Sequence, residues 1–139
     1  MIKVLIADDH AMVRKSLQRI LGDCPDLEVV CEVTTGHDVL PKVSEGGIDV
    51  LLLDISMPGP RFLDLLAQLT SAAGAPRVLV LSAHTEDQFA ISAIRAGAAG
   101  FLTKDRSTEE LCGAIRAIHD GRQYVRRNLE ERLGLEADG

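Results

Sequence analysis

The chain has 139 residues, 46% of them hydrophobic and only 3% aromatic, with no Trp, which suits one domain whose core is aliphatic. Its net charge of −6 and pI near 5.1 offer nothing to the phosphate backbone of nucleic acid, which rewards clustered Lys and Arg. No run approaches the roughly 18 consecutive apolar residues of a membrane span, and MIKVLIADDH turns acidic too soon for a secretory leader, so a cytoplasmic protein is expected.

Short apolar runs alternate with amphipathic stretches five times. Ile2–Ala7 is a strand that ends at Asp8-Asp9, and Met12, Val13, Leu17, Ile20 and Leu21 then recur at helical spacing before Gly22. Leu27–Val33 is a second strand, and Val39, Leu40 and Val43 mark a helix ending near Gly46-Gly47. Ile48–Asp54 is a continuous apolar run of the kind a central parallel strand carries. A turn at Met57-Pro58-Gly59-Pro60 leads to a helix with Phe62, Leu63, Leu65, Leu66 and Leu69. Arg77–Ser82 is the fourth strand; Thr85 with Gln88 is a capping box for the helix that stops at Gly97. Ala99–Thr103 is the fifth strand, and Ser107 with Glu110 is a second capping box, for a helix to about Asp120. Beyond Gly121, the residues Tyr124, Val125, Leu129 and Leu133 suggest a short extra helix ending near Gly134. Five βα units imply an α/β fold, a doubly wound parallel sheet with helices on both faces. Residues 1–121 form the domain, and 122–139 form a linker or short helix.

Cys24, Cys31 and Cys112 show no CxxC and no His at metal-ligand spacing. They read as reduced thiols, small core or near-surface residues.

In a doubly wound sheet, ligands bind beyond the carboxyl ends of the strands. The residues at those ends are Asp8 and Asp9, Asp54, Ser82 and Lys104. Three carboxylates in one crevice repel each other unless a cation intervenes. A small oxygen-rich site that leaves room for water and a phosphoryl oxygen suits Mg²⁺ better than Ca²⁺. A carboxylate nucleophile, an ammonium and a hydroxyl beside such an ion form a phosphoryl-transfer set. Singly these residues are unremarkable: an Asp pair is often a helix cap, Lys104 a surface lysine, Ser82 a turn residue and Phe101 ordinary core. His10 and His84 read as surface residues at helix starts.

The ordered segments IKVLIADDHAMVR, IDVLLLDISMPG, VLVLSAH and AGAAGFLTKD resemble the response-regulator receiver domain of two-component systems, within its NarL/LuxR-type branch, over about residues 1–121. The resemblance implies a flavodoxin-like (βα)5 fold with strand order 2-1-3-4-5. It also implies a signalling domain, not an enzyme in the ordinary sense, that assists its own phosphorylation and dephosphorylation. Asp54 would accept a phosphoryl group from a sensor histidine kinase. Asp9 and Asp54 would ligate Mg²⁺ directly, Ser56 through its backbone carbonyl and Asp8 through water. Lys104 would hold a phosphoryl oxygen, with Ser82 and Phe101 as the switch hydroxyl and switch aromatic. The surface of the fourth helix, fifth strand and fifth helix would change, with a homodimer through receiver helices as one consequence. The branch normally continues into a helix-turn-helix domain that binds DNA and regulates transcription, and this chain stops in what resembles the linker. No direct contact with nucleic acid or membrane is expected of these 139 residues. Two differences from the wider family stand out: Phe62 where it commonly has Gly, and, as happens in the NarL/LuxR-type branch, Asp105 rather than Pro after Lys104.

Two other readings are open. A non-phosphorylated interaction module would keep the fold without the chemistry, and Mg²⁺-dependent labelling by a small phosphodonor separates it from the receiver. A flavodoxin-like enzyme or flavoprotein would need phosphate-cradling N–H groups and Gly, Ser or Thr after the first strand, where this chain has two carboxylates.

Overall fold

Strands and helices alternate along the chain: β1 (Ile2–Ala7), α1 (Ala11–Gly22), β2 (Leu27–Val33), α2 (Val39–Ser44, entered through a 3-10 turn), β3 (Val50–Asp54), α3 (Phe62–Ser71), β4 (Arg77–Ser82), α4 (Asp87–Arg95), β5 (Gly100–Thr103) and α5 (Ser107–His119). This is a computed structural model, which describes residues 1–71, 74–82, 87–104 and 107–125, the side chains of 87–88 and 107–109 excepted. Thr85, His84, Asp105, Leu129, Leu133 and the two capping-box arrangements therefore lie outside the described residues. The sheet is parallel throughout, in the order β2-β1-β3-β4-β5, as the sequence predicts.

Alternation along each strand divides the core into two layers. Leu5, Leu51, Leu53, Val78, Val80 and Phe101 face α2, α3 and α4, with Leu65, Leu66, Leu69 and Ile94 opposite them. Val4, Ile6, Val50, Leu52, Leu79, Leu81 and Leu102 face α1 and α5, against Leu17, Leu21, Leu111, Ile115 and Ile118. Every residue of β3 is buried, which is why its sequence shows no alternation of polar and apolar residues. Each fully buried Leu contributes roughly 1.5–3 kcal/mol. Phe62 opens α3 and packs partly buried against the first layer.

Three sequence expectations shift. The third strand starts at Val50 rather than Ile48, because the Asp49 carboxylate accepts the Lys3 N–H at 2.8 Å while the Asp49 N–H bonds the Lys3 carbonyl at 2.8 Å. Cys24 and Cys112 are not reduced thiols but a disulfide joining the exit of α1 to α5, with Cα atoms 7.0 Å apart. Their separation of 88 residues hid the pairing from any spacing rule. Cys31, half-buried on β2, is free. Finally, Tyr124 is not helical. It forms a parallel bridge with Gly100 at the edge of β5.

Candidate functional site

The register of the sheet builds the site. Ala7 pairs with Leu53, so the next residues, Asp8 and Asp54, emerge side by side. Asp54 pairs with Leu81, and Ser82 pairs with Thr103. Ser82 and Lys104 therefore continue the same row at the carboxyl edge of β1, β3, β4 and β5. Asp8, Asp54 and Ser82 are buried at 1%, 3% and 0% exposure.

Both buried carboxylates turn the chain in the same way. Asp8 Oδ1 accepts the N–H of His10 at 2.9 Å, and Asp54 Oδ1 accepts the N–H of Ser56 at 3.1 Å. An Asp that accepts the amide two residues on closes a tight Asx turn, so each side chain stays fixed at the mouth of the crevice. The Ser56 hydroxyl also donates to the Asp54 carboxylate, at 3.0 and 3.1 Å. The loop beyond is pinned at Gly59, whose φ of 128° favours glycine and where a Cβ would stand 3.0 Å from the Gly36 nitrogen and 3.1 Å from the Gly36 Cα. There the Gly36 N–H bonds the Pro58 carbonyl at 2.8 Å.

Lys104 Nζ lies 3.3 Å from Asp8 Oδ2 and 3.4 Å from Asp54 Oδ1. It is the positive charge between two carboxylates that have lost nearly all contact with water. Among the described residues no hydrogen bond reaches the buried Asp8 Oδ2, so the Lys104 ammonium 3.3 Å away is its positive neighbour. Two buried carboxylates beside one ammonium leave negative charge that a further cation would offset. Oxygen or nitrogen atoms of Asp8, Asp9, His10 and Asp54 all lie within 4.8 Å of one another. The hard carboxylate oxygens among them fit a small divalent ion.

Sequence reasoning brought together Asp8, Asp9, Asp54, Ser82 and Lys104, and the structure gathers them at one strand-end crevice. It missed His10 and Arg14, and one contact of Ser56. His10 is 59% exposed as expected of a surface residue, yet its Nδ1 stands 3.3 Å from Asp8 Oδ1 and 3.0 Å from Asp9 Oδ1. Arg14 donates to the Asp8 carbonyl at 2.9 Å and approaches Glu32 at 3.5 Å, tying α1 to the ends of β1 and β2. Ser56 was read for its carbonyl, and its hydroxyl contacts Asp54. A strand-final Asp followed two residues later by Ser was the available signal for that bond. Phe101 is 7% exposed and packs in the layer that also holds Ile91 and Ile94.

Residues 4–116 match the sequence profile of the response regulator receiver domain. The chain belongs to the response regulator receiver family. It is 33% identical over 135 residues to the response regulator UvrY of Escherichia coli strain K12, covering 97% of this chain and 62% of that protein. To the response regulator GacA of Pseudomonas aeruginosa it is 36% identical over 137 residues, covering 99% and 64%. The chain thus spans under two thirds of the length of these curated relatives. A solved LuxR-family two-component response regulator from Aurantimonas sp. SI85-9A1 superimposes with a TM-score of 0.85 at 28% identity, covering 99% and 98%. The receiver domain of the putative response regulator NarL from Mycobacterium tuberculosis gives 0.81 at 35%, covering 87% and 98%. The family and branch suggested by the sequence motifs agree with these matches. Receivers are signalling domains, and no helix among the described residues is long and apolar enough to cross a membrane.

Proposed function

We propose that Asp54 is the phospho-acceptor of this receiver and that a sensor histidine kinase is the donor. The observation that carries the reading is Lys104, a single ammonium shared by the two buried carboxylates Asp8 and Asp54. Asp54 attacks phosphorus in line, forming an acyl phosphate, and the donor's nitrogen leaves. Lys104 moves from Asp54 to an oxygen of the transferred group, and the Ser82 hydroxyl donates to another. Asp9, Asp54 and the Ser56 carbonyl would hold Mg²⁺ directly, and Asp8 through water. When bound, the ion neutralises phosphoryl charge that three carboxylates would otherwise repel.

The departure of Lys104 from Asp54, together with the inward pull on Ser82, is what the switch reads. Ser82 pairs with Thr103 of β5, so its movement reaches Phe101 two residues earlier in that strand. The changed surface of α4, β5 and α5 then controls an output, with dimerisation through receiver helices as one route. Residues 1–121 act as the receiver, and 122–139 lead toward a DNA-binding domain in a longer cytoplasmic transcription regulator.

Acetyl phosphate with Mg²⁺ tests the acceptor. Wild-type protein should gain one phosphoryl group by mass, losing it again by self-catalysed hydrolysis. Asp54→Asn, whose amide cannot form the acyl phosphate, should gain none. Undiminished incorporation in that variant would move the acceptor elsewhere.

A further inference from the structure

The segment after α5 does not leave the domain at Gly121. The Phe101 N–H donates to the Tyr124 carbonyl at 2.9 Å, and the Tyr124 N–H donates to the Ala99 carbonyl at 3.0 Å. Tyr124 therefore lies along β5 as one rung of a sixth strand, on the edge that β4 does not use. Gly100 makes the rung possible, since a Cβ there would stand 2.9 Å from the Tyr124 carbonyl oxygen and 3.1 Å from the Tyr124 Cβ. The tyrosine hydroxyl donates to Glu110 of α5 at 2.6 Å, a short bond to a charged acceptor. Strand alternation sends the two neighbouring side chains to opposite faces. Tyr124 packs on the α1–α5 layer, and Val125 packs on the layer that holds Phe101.

We propose that this strap, Gln123–Val125, is the device by which the state of β5 is passed to whatever follows the receiver. It is docked in the unphosphorylated domain and released by phosphorylation. The inference rests on the phospho-acceptor reading of Asp54 and adds the element that reports it. Phe101 holds the strap twice: its own N–H bonds the Tyr124 carbonyl, and its ring lies in the layer against which Val125 packs. A β5 drawn toward the phosphoryl site through Lys104 and Thr103 cannot keep both contacts in register, because the strap is tied independently to α5 by the Tyr124–Glu110 bond. One rung and two side chains are a small interface, of the low local stability that moving elements require.

The test is site-resolved amide exchange on the 139-residue chain, with and without acetyl phosphate and Mg²⁺, alongside intact mass. In untreated protein the Tyr124 and Phe101 amides should be protected together. Once the mass shows one added phosphoryl group, both should exchange at least about tenfold faster, while central β3 amides stay slow. Tyr124→Phe removes only the hydroxyl and should loosen both amides about three- to tenfold without phosphoryl donor, leaving phosphoryl uptake intact. Gly100→Ala, built to displace the rung, should do the same more strongly. A mass gain with unchanged exchange at Tyr124 and Phe101 overturns the coupling alone. Exchange in Tyr124→Phe equal to wild type overturns the docking contact. No mass gain overturns the phospho-acceptor reading, and the coupling with it.

Discussion

Lys104 can be treated as the resident cation of the crevice, and replacing it by Met isolates that role. Met keeps an unbranched stem where Lys104 lines a hollow with Met12, Val13, Leu17, Ile20 and Leu81, so packing is largely preserved. What disappears is a charge 3.3 Å from Asp8 and 3.4 Å from Asp54. At an effective dielectric constant of about 20, each attraction is worth about 5 kcal/mol before desolvation. Removing one partner of a fully buried pair costs about 3–5 kcal/mol. Lys104 keeps 20% of its side chain exposed, so screening lowers the expected loss to about 2 kcal/mol.

In EDTA, Lys104→Met should therefore melt about 5–8 °C below wild type. The same substitution removes a charge that repels an incoming divalent ion. Mg²⁺ should bind the variant about three- to fivefold more tightly and recover about 0.6–1 kcal/mol more stability at saturation. Calorimetric melting with and without Mg²⁺, plus direct titration, reads both effects. Equal melting in EDTA and an equal Mg²⁺ shift would refute the idea that Lys104 neutralises the two aspartates. A lower melting point with weaker Mg²⁺ binding would instead mean that the crevice had collapsed.

Reducing the Cys24–Cys112 bond, which bridges 88 residues of sequence, should cost about 2–4 kcal/mol and of order 10 °C in melting temperature, through unfolded-chain entropy; identical melting with and without reductant, once thiol counting has confirmed reduction, would contradict this. Asp26 is held at a pKa of about 2, below the usual carboxylate range, chiefly by its hydrogen bonds from Arg116 at 2.7 and 2.8 Å. Because the folded value is the lower one, the pair's contribution is present above about pH 4 and is lost as pH falls toward 2. Arg116→Gln should accordingly lower the urea midpoint slightly at pH 6, with the difference from wild type fading over that acid range. Ser56→Ala removes the hydroxyl bond to Asp54 and should change the rate of phosphorylation by acetyl phosphate by several-fold, as expected for a hydrogen bond to a carboxylate, while melting stays within about 1 kcal/mol of wild type; unchanged kinetics would reduce that bond to a resting-state contact.

The sheet and the row of acidic, hydroxyl and ammonium groups were legible in the sequence for one reason. Four of the five apolar runs, all but Leu27–Val33, end on or run directly into Asp8, Asp54, Ser82 or Lys104, and in a parallel sheet those ends share an edge. Asp8, Asp54, Ser82 and Lys104 needed only the strand order to become neighbours. Contacts that depend on rotamers or on distant loops were not legible. His10 reaches two carboxylates through the rotamer of its side chain, and Cys24 meets Cys112 only because α1 and α5 pack on the same face. Periodicity cannot report either.

Tyr124 shows how the same sequence supported a wrong local reading and a recoverable right one. Tyr124, Val125, Leu129 and Leu133 include helical spacings, but Tyr and Val are also strand-prone, and Gly100 leaves the β5 edge without a side chain at the matching position. The distinction matters because of where β5 sits. It is four residues long, pairs with β4 on one side only, holds Phe101 within it, and delivers Lys104 at its carboxyl end. A strand so short has little internal means of absorbing a displacement at one end. On the strap proposal, a displacement passed into β5 from Lys104 or Ser82 is taken up at the edge opposite β4, where the single Tyr124 rung closes the sheet.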